Sequence, residues 1–244
     1  MSGHSKWHNI QKTKGAQDAK RAQVFTKISK EMIIAVKEGG SPDPVNNSRL
    51  ATVITKAKAA NMPNDNIKRV LDKAAGAGSG DSYDAITYEG YGPGGVAVIV
   101  ETLTDNRNRT AANIRHNFDK GHGNMGATGC VAWSFDKKGV LVIDNEEGEL
   151  EEDAVMMDAL DAGAEDMEAE TNCFQVYTDP DDFNTVADAL TAKGYKYLSA
   201  QVEMVPQNYQ KLESEEDIKF MERLLDMMED DDDVQNVWHN WDQE

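Results

Sequence analysis

Cysteine is scarce: the chain has two, Cys130 and Cys173, far apart and in no CxxC spacing. That excludes a disulfide framework and argues against a thiolate metal site. Long apolar runs are missing as well. The longest, Val96 to Val100, is far short of a bilayer span, and Met1-Ser2-Gly3-His4-Ser5-Lys6-Trp7 contains no apolar signal core. Ser2 stands where myristoylation requires glycine. No secretory, mitochondrial or anchoring signal is legible, so the sequons at Asn46 and Asn108 are discarded and a reducing cytoplasm is the expected setting. There is no GxxxxGK[ST] phosphate loop and no nucleophile elbow, and no enzymatic activity or cofactor is expected.

What is present is an ordinary globular composition, 39% hydrophobic and 28% charged, with its charge unevenly spread. A chain of 244 residues can bury about 70–75% of its unfolded surface without covalent staples. The formal net charge of -19 opposes association with phosphate over long distances. Residues 1 to 73, however, hold 14 Lys and Arg against 6 Asp and Glu, a net of +8 that leaves -27 for residues 74 to 244. The first thirty residues set Lys6, Lys12, Lys14, Lys20, Arg21, Lys27 and Lys30 against Asp18 alone. Such asymmetry points to a nucleic-acid or acidic-surface partner. A lysine-rich arm can also be merely solvated, or can dock on its own acidic body. This one interleaves its charges with His4, Trp7, His8, Asn9, Gln11 and Gln17, groups that stack on bases or bond to phosphate and sugar.

Apolar residues Phe25, Ile28, Met32 and Ala35 or Val36 recur at helical steps, and Gly39-Gly40-Ser41-Pro42 ends that helix. Leu50, Val53, Ile54 and Ala57 mark a second helix; Ile67, Val70, Leu71 and Ala74, after Pro63, mark a third. Beyond Gly76-Ala77-Gly78-Ser79-Gly80 the period becomes extended. Strands are expected at 86–91, 96–102, 132–135, 139–143, 173–178, 200–206 and 234–238, and helices at 108–120, 151–162, 183–193 and 215–229, with a glycine loop at 121–129. The fold class is therefore α+β: an N-terminal three-helix bundle plus two ferredoxin-like split βαβ domains, one inserted into the other. The expected divisions are a basic helical domain (1–75), a discontinuous α+β domain (81–130 with 206–240) and an inserted one (131–205).

Several motifs dissolve in context. Gly90-x-Gly92-x-x-Gly95 has the letters of a dinucleotide fingerprint, but it joins two strands and contains Pro93, so it is a hairpin turn. His4 and His8 have ligand spacing without an acidic or cysteine partner, and Lys6 between them repels a cation, so no metal site is expected. His116 and His122 lack a paired base or nucleophile. The acidic run Glu229 to Asp233 lacks the glycine of a calcium loop. Besides the arm, one cluster carries weight: Asp105-Asn106-Arg107-Asn108-Arg109-Thr110 at a helix start. There backbone N–H groups and two arginines can converge on an anion, or the arginines can pair with nearby acids around an N-cap. The candidate nucleic-acid contacts are thus His4, Lys6, Trp7, His8, Lys12, Lys14, Lys20, Arg21, Lys27, Arg107, Asn108 and Arg109.

The strings GHSKW (3–7), AQDAKR (16–21), FTKI (25–28), YEGYGPGG (88–95), DNRNRT (105–110) and EDDDDVQNVWHN (229–240) resemble the YebC family, also called PmpR-type regulators, over nearly the whole chain. The resemblance implies a three-domain α+β fold and no accepted enzymatic activity. It also implies one of two functions. The family is usually described as cytoplasmic DNA-binding transcriptional regulators. Other members, including a related mitochondrial activator of cytochrome oxidase synthesis, resemble ribosome-associated factors that bind RNA and relieve stalling at proline runs. For a duplex reader, the second and third helices offer Lys56, Lys58, Lys68 and Arg69, without a clear helix-turn-helix pattern. For an RNA partner, the arm supplies Lys and Arg to phosphates and Trp7 to an unstacked base, which the residues alone slightly favour.

Overall fold

The computed structural model describes residues 17–76 and 83–243, with side chains from Arg21 onward. The described residues form two compact units, one of residues 17–76 with 137–203, the other of 83–136 with 204–243.

The first unit opens with three helices, α1 (Gln17–Gly39), α2 (Ser48–Ala59) and α3 (Asn64–Ala75). Their shared core is Ile28, Met32, Val36, Leu50, Val53, Ala57, Ile67 and Ala74, the stripes that helical spacing marks. Asn47 locks the first corner. Its Oδ1 accepts the Leu50 N–H (3.0 Å) at the start of α2, while its Nδ2 donates to the carbonyls of Ala35 (2.8 Å) and Ser41 (2.9 Å). Gly39 faces this buried amide so closely that any Cβ would collide with it. At the other end of α2, Asn61 takes the left-handed conformation (φ 57°), letting Met62 N–H reach Ala57 O at 2.9 Å and Asn61 N–H reach Lys58 O at 2.9 Å.

The same unit contains most of β4 (Phe135–Asp144), then α5 (Glu152–Ala162), β5 (Asp166–Ala169), β6 (Cys173–Thr178), α6 (Phe183–Ala192) and most of β7 (Tyr197–Pro206). The strand order is β5-β6-β4-β7, with β6 antiparallel to both neighbours, the split βαβ arrangement. Leu141, Ile143, Val155, Phe174, Val176, Phe183 and Leu190 fill the space between sheet and helices. Asn184 on α6 donates to Thr52 Oγ1 (2.9 Å) and Ser48 O (3.3 Å) on α2, joining sheet domain and helices within this unit.

In the second unit, β1 (Asp84–Tyr91) and β2 (Ala97–Thr104) form a hairpin closed by a short 3-10 turn, Pro93–Gly95, where Gly94 and Gly95 hold positive φ. Then follow α4 (Arg107–Lys120), β3 (Asn124–Met125), β8 (Gln210–Lys211), α7 (Glu215–Glu229), β9 (Val234–His239) and β10 (Trp241–Asp242). The sheet runs β3-β1-β2-β9, antiparallel throughout, so β2 and β3 flank β1 across the α4 crossover. Val98, Val100, Ile114, Phe118, Met221, Leu224 and Met228 bury one face under α4 and α7. Ala97, Ile99, Val131 and Phe135 cover part of the other, against Met204 and Trp238.

The α+β class, the helical module and both sheet domains match the sequence-based expectation. The expected strand at 132–135 does not form. Ala132–Ser134 is a 3-10 turn, because the N–H groups of Gly129, Val131 and Ala132 are claimed by the Glu89 carboxylate instead of a neighbouring strand. The expected glycine loop contains β3. Gly90 admits it, since a Cβ there would lie 2.5 Å from Asn124 O. Strand β5 and the parallel β8–β10 pair were not anticipated. Among the described residues, no helix is long and apolar enough to cross a membrane.

Candidate nucleic-acid interface

Of the arm residues, His4, Lys6, Trp7, His8, Lys12 and Lys14 lie outside the described residues, and Lys20 belongs to α1 by its backbone alone. Arg21 is exposed, with its guanidinium carbon 5.7 Å from the centroid of the Phe25 ring, one turn further on. Lys27 is half-buried. The helices expose more positive charge elsewhere. Lys56 is tied to Glu31 at 2.7 Å in a half-buried pair, and Arg49 pairs with Glu38. Lys58, Lys68 and Arg69 are exposed and make no ion pair among the described residues. On α3 the burial of Ile67 and Ala74 turns Asn64, Lys68 and Arg69 outward.

The Asp105–Thr110 cluster does form a helix start. Asn106 caps α4, its Oδ1 accepting the Arg109 N–H at 3.1 Å. Both guanidinium groups are engaged by acids of the chain itself. Arg107 Nε donates to Asp84 at 2.7 Å, and this hydrogen bond holds the Asp84 carboxyl below the usual carboxylate range. Arg109 Nη2 donates to Asp233 at 2.7 Å and to Asp105 at 2.8 Å, which keeps its charge fixed. Asp233 is buried, and the same Oδ2 accepts from Thr110 Oγ1 (2.9 Å) and Thr104 Oγ1 (3.2 Å). The arginines thus adopt the paired geometry around the cap, while Asn108 is exposed.

Sequence reasoning missed a third arrangement. Glu89 is 3% exposed towards the end of β1. Burial pushes its carboxyl up, but hydrogen bonds from the N–H groups of Gly129 (2.6 Å), Val131 (2.9 Å) and Ala132 (2.9 Å) together outweigh burial and leave it below the usual range. The loop so anchored presents Trp133, 69% exposed, whose Nε1 donates to Cys130 O at 2.9 Å. Tyr91 donates to the same carbonyl at 3.1 Å. The only sequence signal was a lone acid among strand residues, which resembles any surface glutamate.

The chain resembles known proteins along nearly its whole length. The family model described as the TACO1/YebC protein N-terminal domain matches residues 5–77, and the one described as TACO1/YebC second and third domain matches residues 83–241. A probable transcriptional regulatory protein of Ruminiclostridium cellulolyticum is 55% identical over 244 residues, covering 100% of this chain and 98% of that protein. One from Geobacillus kaustophilus is 53% identical over 243 residues, with coverage of 100% and 98%. The crystal structure of a conserved hypothetical protein from Aquifex aeolicus superposes with a TM-score of 0.81 at 39% identity, covering 92% of this chain and 91% of that one. With both family models matching in order and relatives more than half identical along its length, the chain belongs to the TACO1/YebC family.

Proposed function

We propose that the protein is a non-enzymatic, nucleic-acid-binding regulator of gene expression that grips phosphates with its basic N-terminal residues. The observation that carries this is the division of charge, +8 over residues 1–73 against -27 over the remainder, together with outward Lys58, Lys68 and Arg69 on helices whose apolar stripes are fully used in packing. The names of the relatives, probable transcriptional regulatory proteins, support DNA as the target. On this reading α3 offers Asn64, Lys68 and Arg69 to a groove or its rim, and His4, Lys6, Trp7, His8, Lys12, Lys14, Lys20, Arg21 and Lys27 contact backbone and bases. Asn108 with Arg107 and Arg109 is a weaker candidate, since an incoming phosphate must compete with Asp84, Asp105 and Asp233.

Replacing Lys12, Lys14, Lys20 and Arg21 together with Glu is expected to abolish binding in a filter assay without unfolding the chain. Wild-type affinity should fall with log salt at about 0.9 per phosphate neutralised on duplex DNA. Unchanged affinity in the fourfold variant would rule the arm out. A cytoplasmic protein of this kind also meets ribosomes, and Trp7 amid lysines suits an unstacked RNA base. Competition between ribosomes and promoter DNA for labelled protein at physiological salt separates the two: sequence-selective retention on DNA supports the regulator, and co-sedimentation with ribosomes supports the translation factor.

A further inference from the structure

Of the eleven Lys and Arg beyond residue 73, Arg107, Arg109, Lys138 and Lys193 meet a carboxylate. Three that do not, Lys120, Lys219 and Arg223, lie on α4 and α7. The two helices lie antiparallel on the second unit's sheet. Asn113 reaches Asp231 (3.3 Å), Asn117 reaches Met227 O (3.3 Å), a Cβ at Gly121 would lie 2.6 Å from Leu224 Cβ, and the His122 ring stacks on Phe220 with centroids 3.5 Å apart. That register sets Lys120 level with Arg223, with Lys219 one turn further towards His122. His116 and Lys120 lie one turn apart on α4, beside the Asn113–Asn117–Gly121 line that touches α7. Lys219 and Arg223 are spaced likewise on α7, beside Phe220 and Met227. All four are exposed, and none makes a hydrogen bond or ion pair among the described residues. Asp119, Glu222 and Asp226 occupy the same helices.

Cations one helical turn apart, about 6 Å, are close enough to meet neighbouring phosphates of one strand. At the end of the groove, His122 sits exposed in the left-handed position (φ 55°) that closes α4, where Gly123 N–H meets Phe118 O at 2.8 Å and His122 N–H meets Asp119 O at 3.3 Å. Stacked on Phe220 and fixed by this cap, its ring offers a preset planar surface of the kind on which an unpaired base stacks.

We infer that the outer groove between α4 and α7 is a second contact for a single strand of nucleic acid, with Lys120, Lys219 and Arg223 on its phosphates, His116 alongside, and His122 beneath a base. The inference rests on the reading of the chain as a nucleic-acid binder and adds a site on the acidic half. It is tested with full-length protein, labelled single-stranded and duplex oligonucleotides, and a salt series. Lys120→Glu with Lys219→Glu and Arg223→Glu should weaken single-strand binding at least tenfold and lower the slope of log affinity against log salt by about 2, at 0.7 per phosphate. Duplex binding should be retained. His122→Gly keeps the left-handed cap but removes the ring; it should weaken single-strand binding several-fold with the slope unchanged. The triple exchange to Gln replaces the Glu variant if that one does not melt cooperatively. Single-strand affinity and slope equal to wild type in the triple variant overturn the inference alone, as does an equal loss on duplex. A wild-type protein that binds no oligonucleotide defeats the underlying reading as well.

Discussion

His239, at the end of β9, is 8% exposed, and its Nδ1 accepts the N–H of Trp241 at 3.3 Å. Burial pulls its pKa down to about 4. The unfolded chain therefore binds the proton more readily than the folded one. The neutral ring's contribution is complete above the unfolded value of about 6.5 and is lost as pH falls towards 4, where the loss reaches about 3 kcal/mol. Urea melts at pH 7 and pH 5 should show His239→Asn losing less stability between the two than wild type does; parallel losses would refute the assignment. Single residues were the least legible scale. His239 is one of five histidines, and nothing local marks it as the buried one. Glu89 likewise becomes distinctive only when β1 brings it against the N–H groups of Gly129, Val131 and Ala132, some forty residues on. In the sequence Asn47 is only the middle residue of a discarded sequon, and its task, satisfying three backbone groups at a helix corner, depends on Ala35 and Ser41 arriving beside it.

Among elements, the Asp233 carboxylate joins the start of β9 to the start of α4 through Arg109, Thr110 and Thr104. Asp233→Ala removes the acceptor shared by two buried hydroxyls and a guanidinium and should cost about 3 kcal/mol, the low end for breaking a buried pair because Arg109 is half exposed and keeps Asp105. A thermal melt shifted by no more than a typical surface substitution would contradict this. Helices are readable because each buries a continuous stripe: α7 spans the expected 215–229, and α4 starts at Arg107, one residue before its expected start. Strands were less so. Asp166–Ala169 carries two acids and a single fully buried side chain, Met167, so its pairing with β6 outweighs a weak local preference. Residues 132–135 misled in the opposite sense, since Trp133 and Phe135 favour strands but the backbone before them is held in a turn. The charged groove between α4 and α7 had no signature, because its two halves lie about a hundred residues apart and only the helix register brings them level.

For the whole molecule, a net charge of -19 means self-repulsion in the folded chain that salt screens. Raising NaCl from 10 to 200 mM should stabilise the protein by about 1 kcal/mol, a rise of about 2–4 °C in Tm. A Tm that stays level or falls would mean that surface ion pairs such as Lys138–Glu165 and Lys193–Asp158 dominate instead. The same addition of salt weakens nucleic-acid binding, so stability and affinity should move in opposite directions in one titration. The charge division and the family motifs were legible from the chain alone, because both are properties of composition and order. The chain alone leaves the neutralisation of Arg107 and Arg109 open, since it depends on Asp84 and Asp233 from distant strands.

The pairing of β9 with β2 also sets a timetable for synthesis. A ribosome releases the 84–104 hairpin well before residues 234–239, and at 5–20 residues per second the interval is on the order of ten seconds. Throughout it the outer edge of β2, with Val98 and Val100 on its apolar face, is an open template on a nascent chain. Other nascent copies on the same messenger can reach that edge first, so slow translation of the last hundred codons would favour aggregation even though the finished protein is unaltered.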